Sequence, residues 1–284
     1  MAFAARLRLH LLNSGVPIGC IAMALMLGTG ALLGLSVPGA LLGAAFCGTG
    51  LVYLADRALG HSPEDAINVP ERSVWRRSMR RWIGAEGILL ALGLALCLPV
   101  LHVRTLAAAA GIGALAGLHV WPLGARGWRM KAWGAVKPLS ISGAWALGAI
   151  VLPVLEAGAA WTAGVGALVL YRSAVLLPNV LLADWRDRRG DAAHGVAALA
   201  SRWTRRRVRT VALGCLGAGA GVALALAFYT PLPVSLLALD ALGLVAMGGA
   251  VWHLRPRTVP WHMLAADLVV AWPLLTWAAF SWVG

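Results

Sequence analysis

The stretch from Ala160 to Asp191, AWTAGVGALVLYRSAVLLPNVLLADWRDRRGD, decides how the rest of the chain is read. Residues 160–183 carry one charge, Arg172, and are long enough to cross the roughly 30 Å hydrocarbon layer of a bilayer as a helix. The next eight residues hold three aspartates and three arginines. An apolar run of this length, ending abruptly in a dense charge cluster, is a membrane span meeting water. Alternating polar and apolar residues, the mark of a membrane β-barrel, are absent from it.

The same pattern recurs outward in both directions. Apolar segments occupy about residues 16–35, 38–55, 83–101, 105–123, 139–156, 160–183, 208–228, 232–252 and 262–283. Of the 284 residues 60% are hydrophobic and 12% charged, where soluble domains carry roughly 25% charged. A soluble enzyme is excluded on these numbers. The expected fold is all-α: one polytopic domain over residues 1–284, with nine transmembrane helices in a bundle. The start of the chain reads as an uncleaved first span, since its apolar stretch is longer than that of a signal peptide.

Nine crossings put the termini on opposite faces. With the N-terminus in the cytoplasm, 22 of the 24 basic residues fall on the inner side, leaving Arg104 outside and Arg172 within a span. The positive-inside rule therefore orients the chain, and in a bacterium the location is the inner membrane. The net charge of +13 is accounted for by orientation and anionic lipid, and no nucleic-acid partner is expected. Cys20, Cys47, Cys97 and Cys215 all lie in apolar runs without a C-x-x-C pair and read as small packing residues. Seven histidines form no i, i+4 pair, which argues against haem.

The two longest inner connections, about 57–82 and 184–207, hold most of the acidic side chains, so function is expected on the cytoplasmic face. Leu54–Asp56 and Leu182–Asp184 both read LAD at the end of a span, and an RR pair follows at Arg76 and Arg205. This repetition suggests two four-helix units plus a ninth helix, facing each other across a central cavity.

Asp184, Asp187 and Asp191 stand at i, i+3 and i+7 and share one helical face over two turns. Converging carboxylates suit a hard divalent cation, and Mg2+ typically takes one or two of them together with phosphate oxygens. Arg186, Arg188 and Arg189 beside them suit a polyanion such as a diphosphate. The plainer reading is a solvated helix end laced by local ion pairs. The first connection adds Asp56, Glu64, Asp65, Asn68, Glu71 and Arg72, and two acidic clusters on one face favour the ligand-binding reading.

With these residues the chain resembles the UbiA family of intramembrane prenyltransferases. Asp187 and Asp191 match its D-x-x-x-D motif, and Asp184 extends it to D-x-x-D-x-x-x-D. The family's other motif, N-x-x-x-D-x-x-x-D, is matched only at its middle position by Asp56, with Val52 and Gly60 at the flanking ones. The segment Asn68–Ser73, NVPERS, looks like the Asn-Arg-Pro stretch that follows in many members, and Trp121–Pro138 loosely resembles a Tyr-Pro-x-x-Lys-Arg region. The resemblance implies Mg2+, a prenyl diphosphate donor and an aromatic or other hydrophobic acceptor. It implies metal binding by Asp184, Asp187 and Asp191 from one half and by Asp56 with Glu64 or Asp65 from the other. Arg72, Lys131, Lys137 and Arg188 are the implied diphosphate contacts.

Charged and polar groups inside the spans must face the bundle, since exposing them to lipid costs on the order of 3 kcal/mol or more. Arg172 either meets a structural partner or touches the substrates. Asn179 either joins the site as a ligand or satisfies backbone freed by Pro178. Asp240 and Asp267 either pair with Arg172 or orient an acceptor. Three activities remain open on this reading: magnesium-dependent prenyl transfer, cyclisation of the donor without an acceptor, and non-catalytic binding or transport of a prenyl lipid.

Overall fold

The computed structural model of the chain describes residues 3–59, 65–120, 134–194, 199, 202–253 and 260–283. Each predicted span contains helix over its described residues, with non-helical residues at several span ends. After a short N-terminal helix α1 (Phe3–Asn13) come α2 (Val16–Leu33) and α3 (Gly39–Leu59). Two short helices follow, α4 (Asp65–Asn68) and α5 (Pro70–Ser78), and then α6 (Arg80–Cys97), α7 (Val103–Val120) and α8 (Val136–Glu156). The second half holds α9 (Ala163–Ala193), α10 (Arg205–Tyr229), α11 (Val234–Trp252), α12 (Pro260–Val270) and α13 (Pro273–Val283). Seven of these helices are long and apolar enough to cross a bilayer, and the α7 span is a shorter apolar helix.

The ninth span departs from the expected single helix. Proline at position 273 has no N–H and disfavours helical geometry at the residue before it, so the chain breaks between α12 and α13. At the break Trp272 N–H turns to the Val269 carbonyl, and the indole Nε1 donates to the Leu239 carbonyl on α11 at 2.9 Å. The two long charged connections also differ from the expected loops. Helix α9 continues through the aspartates to Ala193, and α4 and α5 replace much of the first loop.

Helix α9 organises the bundle. It packs against α8, α10, α11 and α12, and α4 lies across its C-terminal end. The largest buried cluster draws on α2, α8, α9, α10, α11 and α12, with Leu25, Ile150, Leu168, Leu182, Val208 and Met247 among its inner side chains. The outside is apolar as well: Leu96, Phe228 and Val245 are 80%, 79% and 72% exposed. In water such a surface would drive association, whereas in lipid it is at equilibrium with its solvent. The protein is an integral membrane protein.

Close approach depends on small residues. A Cβ on Gly28 of α2 would lie 2.3 Å from Pro273 Cβ on α13, and one on Gly15 would lie 2.2 Å from the Gly50 carbonyl oxygen on α3. The amino-terminal segment is tied down by a polar chain. Trp75 Nε1 donates to His10 Nδ1 at 3.1 Å, and His10 Nε2 stands 3.2 Å from Glu86 Oε2. The other Glu86 oxygen accepts the Gly15 N–H at 2.8 Å. An indole N–H only donates, so His10 Nδ1 is the acceptor and its proton sits on Nε2. This chain joins α1 and the start of α2 to α5 and α6, and so holds the first connection in place.

Candidate functional site

Helix α9 begins at Thr162, whose hydroxyl accepts the Val165 N–H at 3.3 Å. Its 31 residues span about 46 Å, against roughly 30 Å of hydrocarbon that some twenty residues cover. Measured from that cap, the helix leaves the hydrocarbon near Asp184. Length alone thus puts the three aspartates at the membrane surface and Arg172 near the middle of the bilayer.

The aspartates stand in different surroundings. Asp184 and Asp191 are buried, at 2% and 4% exposure, while the Asp187 side chain is 25% exposed. Lys137, in the first turn of α8, places Nζ 2.5 Å from Asp184 Oδ1, and the fields of all three carboxylates act on it. Arg186 grips Asp187 through two hydrogen bonds, Nε to Oδ1 at 2.6 Å and Nη2 to Oδ2 at 2.9 Å. Asp184 Oδ2 is buried and accepts no hydrogen bond from the described residues. A buried carboxylate oxygen without a donor is costly unless a cation or ligand faces it.

The first half reaches this end of α9 through α4. Asn68 Oδ1 accepts the backbone N–H of Gly190 at 2.8 Å, between Asp187 and Asp191. Arg57, next to Asp56 on α3, donates from Nη1 to the Ser14 carbonyl at 2.9 Å and lies over the Tyr53 ring, 5.5 Å from its centroid. The Tyr53 ring meets Trp145 of α8 edge-on at 6.1 Å. The charges of Asp267, Asp56 and Arg72 act on Arg57, and those of Asp267 and Glu71 act on Arg186. Asp267 on α12 accepts the Asn179 Nδ2 at 3.0 Å. Side chains of α3, α5, α9 and α12 therefore form one electrostatic neighbourhood.

The sequence-predicted residues divide accordingly. Asp184, Asp187, Asp191 and Lys137 are together, and Arg72 lies within the field of Arg57. Asp56 is exposed on the last turns of α3. Glu64 and Lys131 lie outside the described residues, as does the side chain of Asp65 at the start of α4. Arg188 turns back along α9, donating to the Trp185 carbonyl at 2.7 Å with its guanidinium 3.6 Å from the Trp185 ring centroid. Of the two roles open to Arg172, the geometry supplies the structural partner. Its Nη1 and Nη2 reach the two Asp240 oxygens at 2.8 and 3.0 Å, about 18 Å along the helix from Asp184. Tyr171 and Thr276 complete the carboxylate shell at 2.7 and 3.0 Å.

Among the described residues no three His, Cys, Asp or Glu side chains form a group able to hold a metal ion. Of the carboxylates expected from both halves, Asp187 has both oxygens engaged by Arg186 and Asp184 has one engaged by Lys137, while Glu64 and the side chain of Asp65 lie outside the described residues. A hexacoordinate cation that takes one or two carboxylates and completes its shell with phosphate and water does fit, and the orphaned Asp184 Oδ2 is the observation in its favour. Arg57 escapes the sequence reading, its one signal being a guanidinium next to a motif aspartate, whereas Arg186, Asn68, Asn179 and Asp267 are candidates there without these pairings.

No protein-family description matches the sequence, and no curated protein does. Solved structures do match. A UbiA homologue from Archaeoglobus fulgidus bound to GPP and Mg2+ superposes with a TM-score of 0.68 at 11% identity, over 95% of this chain and 98% of that one. The apo UbiA homologue from Aeropyrum pernix K1 gives 0.67 at 14% identity, over 94% and 98%. A digeranylgeranylglyceryl phosphate synthase gives 0.61 at 12% identity, over 97% and 98%. Helix order and packing are shared almost end to end, and the fold of this chain is that of the UbiA prenyltransferase homologues.

Proposed function

We propose that the protein transfers a prenyl group from a prenyl diphosphate to a hydrophobic or aromatic acceptor inside the membrane, with Mg2+ as cofactor. The reading is supported most by one observation: buried Asp184, with one oxygen on Lys137 and the other without a donor, at the junction of the two halves of a UbiA fold. The A. fulgidus homologue with GPP and Mg2+ bound favours the same ligands. The N-terminus is cytoplasmic in this reading, and the site opens to the cytoplasm, where the basic residues concentrate.

Asp184, Asp187 and Asp191 are the residues that would hold Mg2+, together with Asp56 and Glu64 or Asp65 of the first half. When bound, the ion neutralises charge on the diphosphate as it departs. Lys137 and Arg72 bind the diphosphate oxygens from α8 and α5, adding donors that strengthen as negative charge builds on the leaving group. Arg186, beside Asp187, would be a third donor. The prenyl tail lies among apolar helices, which exclude water from the electrophilic carbon so that the acceptor captures it.

The test is turnover. Purified protein in lipid nanodiscs is incubated with labelled geranyl, farnesyl and geranylgeranyl diphosphates, with and without Mg2+, in the presence of membrane lipid extract. A Mg2+-dependent prenylated product supports transfer. A cyclised hydrocarbon from donor alone supports a cyclase instead, and saturable donor binding with no product supports a non-catalytic carrier.

A further inference from the structure

The two acids inside the second half are treated very differently by the fold. Asp240 receives hydrogen bonds from Arg172, Tyr171 and Thr276 and is 2% exposed, a closed arrangement. Asp267 receives a hydrogen bond from Asn179 and is only half-buried. The Arg57 and Arg186 charges that act on it are directed elsewhere, Arg57 to the Ser14 carbonyl and Arg186 to Asp187. Asp267 is therefore open in geometry, with two nearby cations that are bonded elsewhere.

That contact also fixes the orientation of the Asn179 amide. An ionised carboxylate only accepts, so Nδ2 must face Asp267 and Oδ1 must face away from it. Asn179 Oδ1 is buried and receives no hydrogen bond from any described residue. A buried amide oxygen left in this state costs stability, and in a span there is no bulk water to relieve it. It calls for a hydrogen-bond donor from a bound molecule. The position suits one: Asn179 lies about 7.5 Å below Asp184 along α9, on the membrane side of the proposed diphosphate site.

We propose that Asn179 and Asp267 form the head-group subsite for the acceptor, and that they select a neutral hydroxyl-bearing molecule over a carboxylate-bearing one. The proposal rests on the prenyl-transfer reading for the name acceptor, while the selectivity follows from the pair itself. Two hydrogen-bond acceptors, one of them anionic, receive a hydroxyl and repel a carboxylate. The neighbouring guanidiniums, already engaged with other oxygens, do not reverse that preference.

The experiment titrates the purified full chain in detergent with four probes that share one hydrocarbon body: 4-hexylphenol, 4-hexylbenzyl alcohol, 4-hexylbenzoate and hexylbenzene. Intrinsic tryptophan fluorescence reports binding. Either hydroxyl probe should bind at least about tenfold more tightly than hexylbenzene and than the benzoate, since a site built to bond a hydroxyl rejects analogues that lack one. The tighter of the two tells a phenolic acceptor from an alcoholic one. Asn179→Leu should erase the preference, and Asp267→Asn should reduce the discrimination against the benzoate. Equal or tighter binding of hexylbenzene or the benzoate by the wild type, no binding of either hydroxyl probe, or an undiminished preference in a folded Asn179→Leu variant would overturn the proposal. Should Asn179→Leu fail to fold, Asn179→Asp serves in its place. A second carboxylate there should shift the ratio further against the benzoate, and an unchanged ratio overturns the proposal. Geranyl diphosphate binding with Mg2+ is measured on the same samples. Its absence defeats the transfer reading and leaves the hydroxyl preference to stand or fall on the probe series.

Discussion

The side-chain oxygen of Asn68 accepts the backbone N–H of Gly190 at 2.8 Å across 122 positions of sequence. This bond docks the first connection onto the carboxylate-bearing end of α9. It is one link that brings α4 to the aspartates, and a hydrogen bond of this kind contributes about 1 kcal/mol net. Asn68→Ala should therefore lower stability only slightly while raising the KM for the donor several-fold. Faster amide hydrogen exchange around residue 190, with the rest of α9 unchanged, is the measurement that checks the docking role.

Asp187→Asn should leave the protein folded and cut kcat/KM by at least about 100-fold, the scale on which removing one preorganised electrostatic group is felt. Labelled-product formation reports the loss, and an unchanged melting temperature shows that the variant is intact. Full activity in that variant would end the assignment of the second aspartate motif to the cation.

The Arg172–Asp240 pair predicts a different phenotype. Both side chains are buried at 2% exposure, so removing either one strands the other charge near the middle of the bundle at a cost of about 3–5 kcal/mol. Removing both together should cost less than either alone. Thermal unfolding in detergent of Arg172→Met, Asp240→Leu and the double variant tests this, and simple additivity would show that the two do not interact.

Lys137→Met deletes the cation on Asp184 and leaves that buried carboxylate with neither oxygen satisfied. In chelator the variant should melt at a lower temperature than the wild type. Added Mg2+ should recover more stability in the variant than in the wild type, because a ligand that binds the folded state shifts unfolding in proportion to its affinity. Equal Mg2+ responses would count against Asp184 as a ligand.

Gly28→Leu places a side chain where a Cβ alone would come within 2.3 Å of Pro273 Cβ. The α2–α13 crossing cannot close around it, and the variant should elute as aggregate in size-exclusion chromatography. A monodisperse, active variant would show that the two helices do not cross as closely as described.

Much of this architecture can be read from local sequence. An apolar run of some twenty residues has one low-energy state in lipid, a helix, because every backbone polar group must be satisfied within the segment. Span positions, the surface placement of Asp184, Asp187 and Asp191, and their common face all follow from that constraint and the 3.6-residue period. The break before Pro273 was implicit in the residue type, but the apolar count alone reads straight across it.

What the tertiary structure alone decided is which polar group meets which. Periodicity assigns Arg172 an inward direction, yet only the packing of α9 on α11 delivers it to Asp240, which Thr276 of α13 also reaches. Asp267 has the same composition and nearly the same burial prospects as Asp240 in sequence, and the bundle sends it instead to Asn179 beside the aspartates. Likewise Lys137 reaches Asp184 from α8. The physical reason is that hydrophobic burial is non-directional and is encoded residue by residue, whereas a buried polar contact requires two particular atoms to converge. Helix rotations and crossings, set by small residues such as Gly15 and Gly28, decide that convergence.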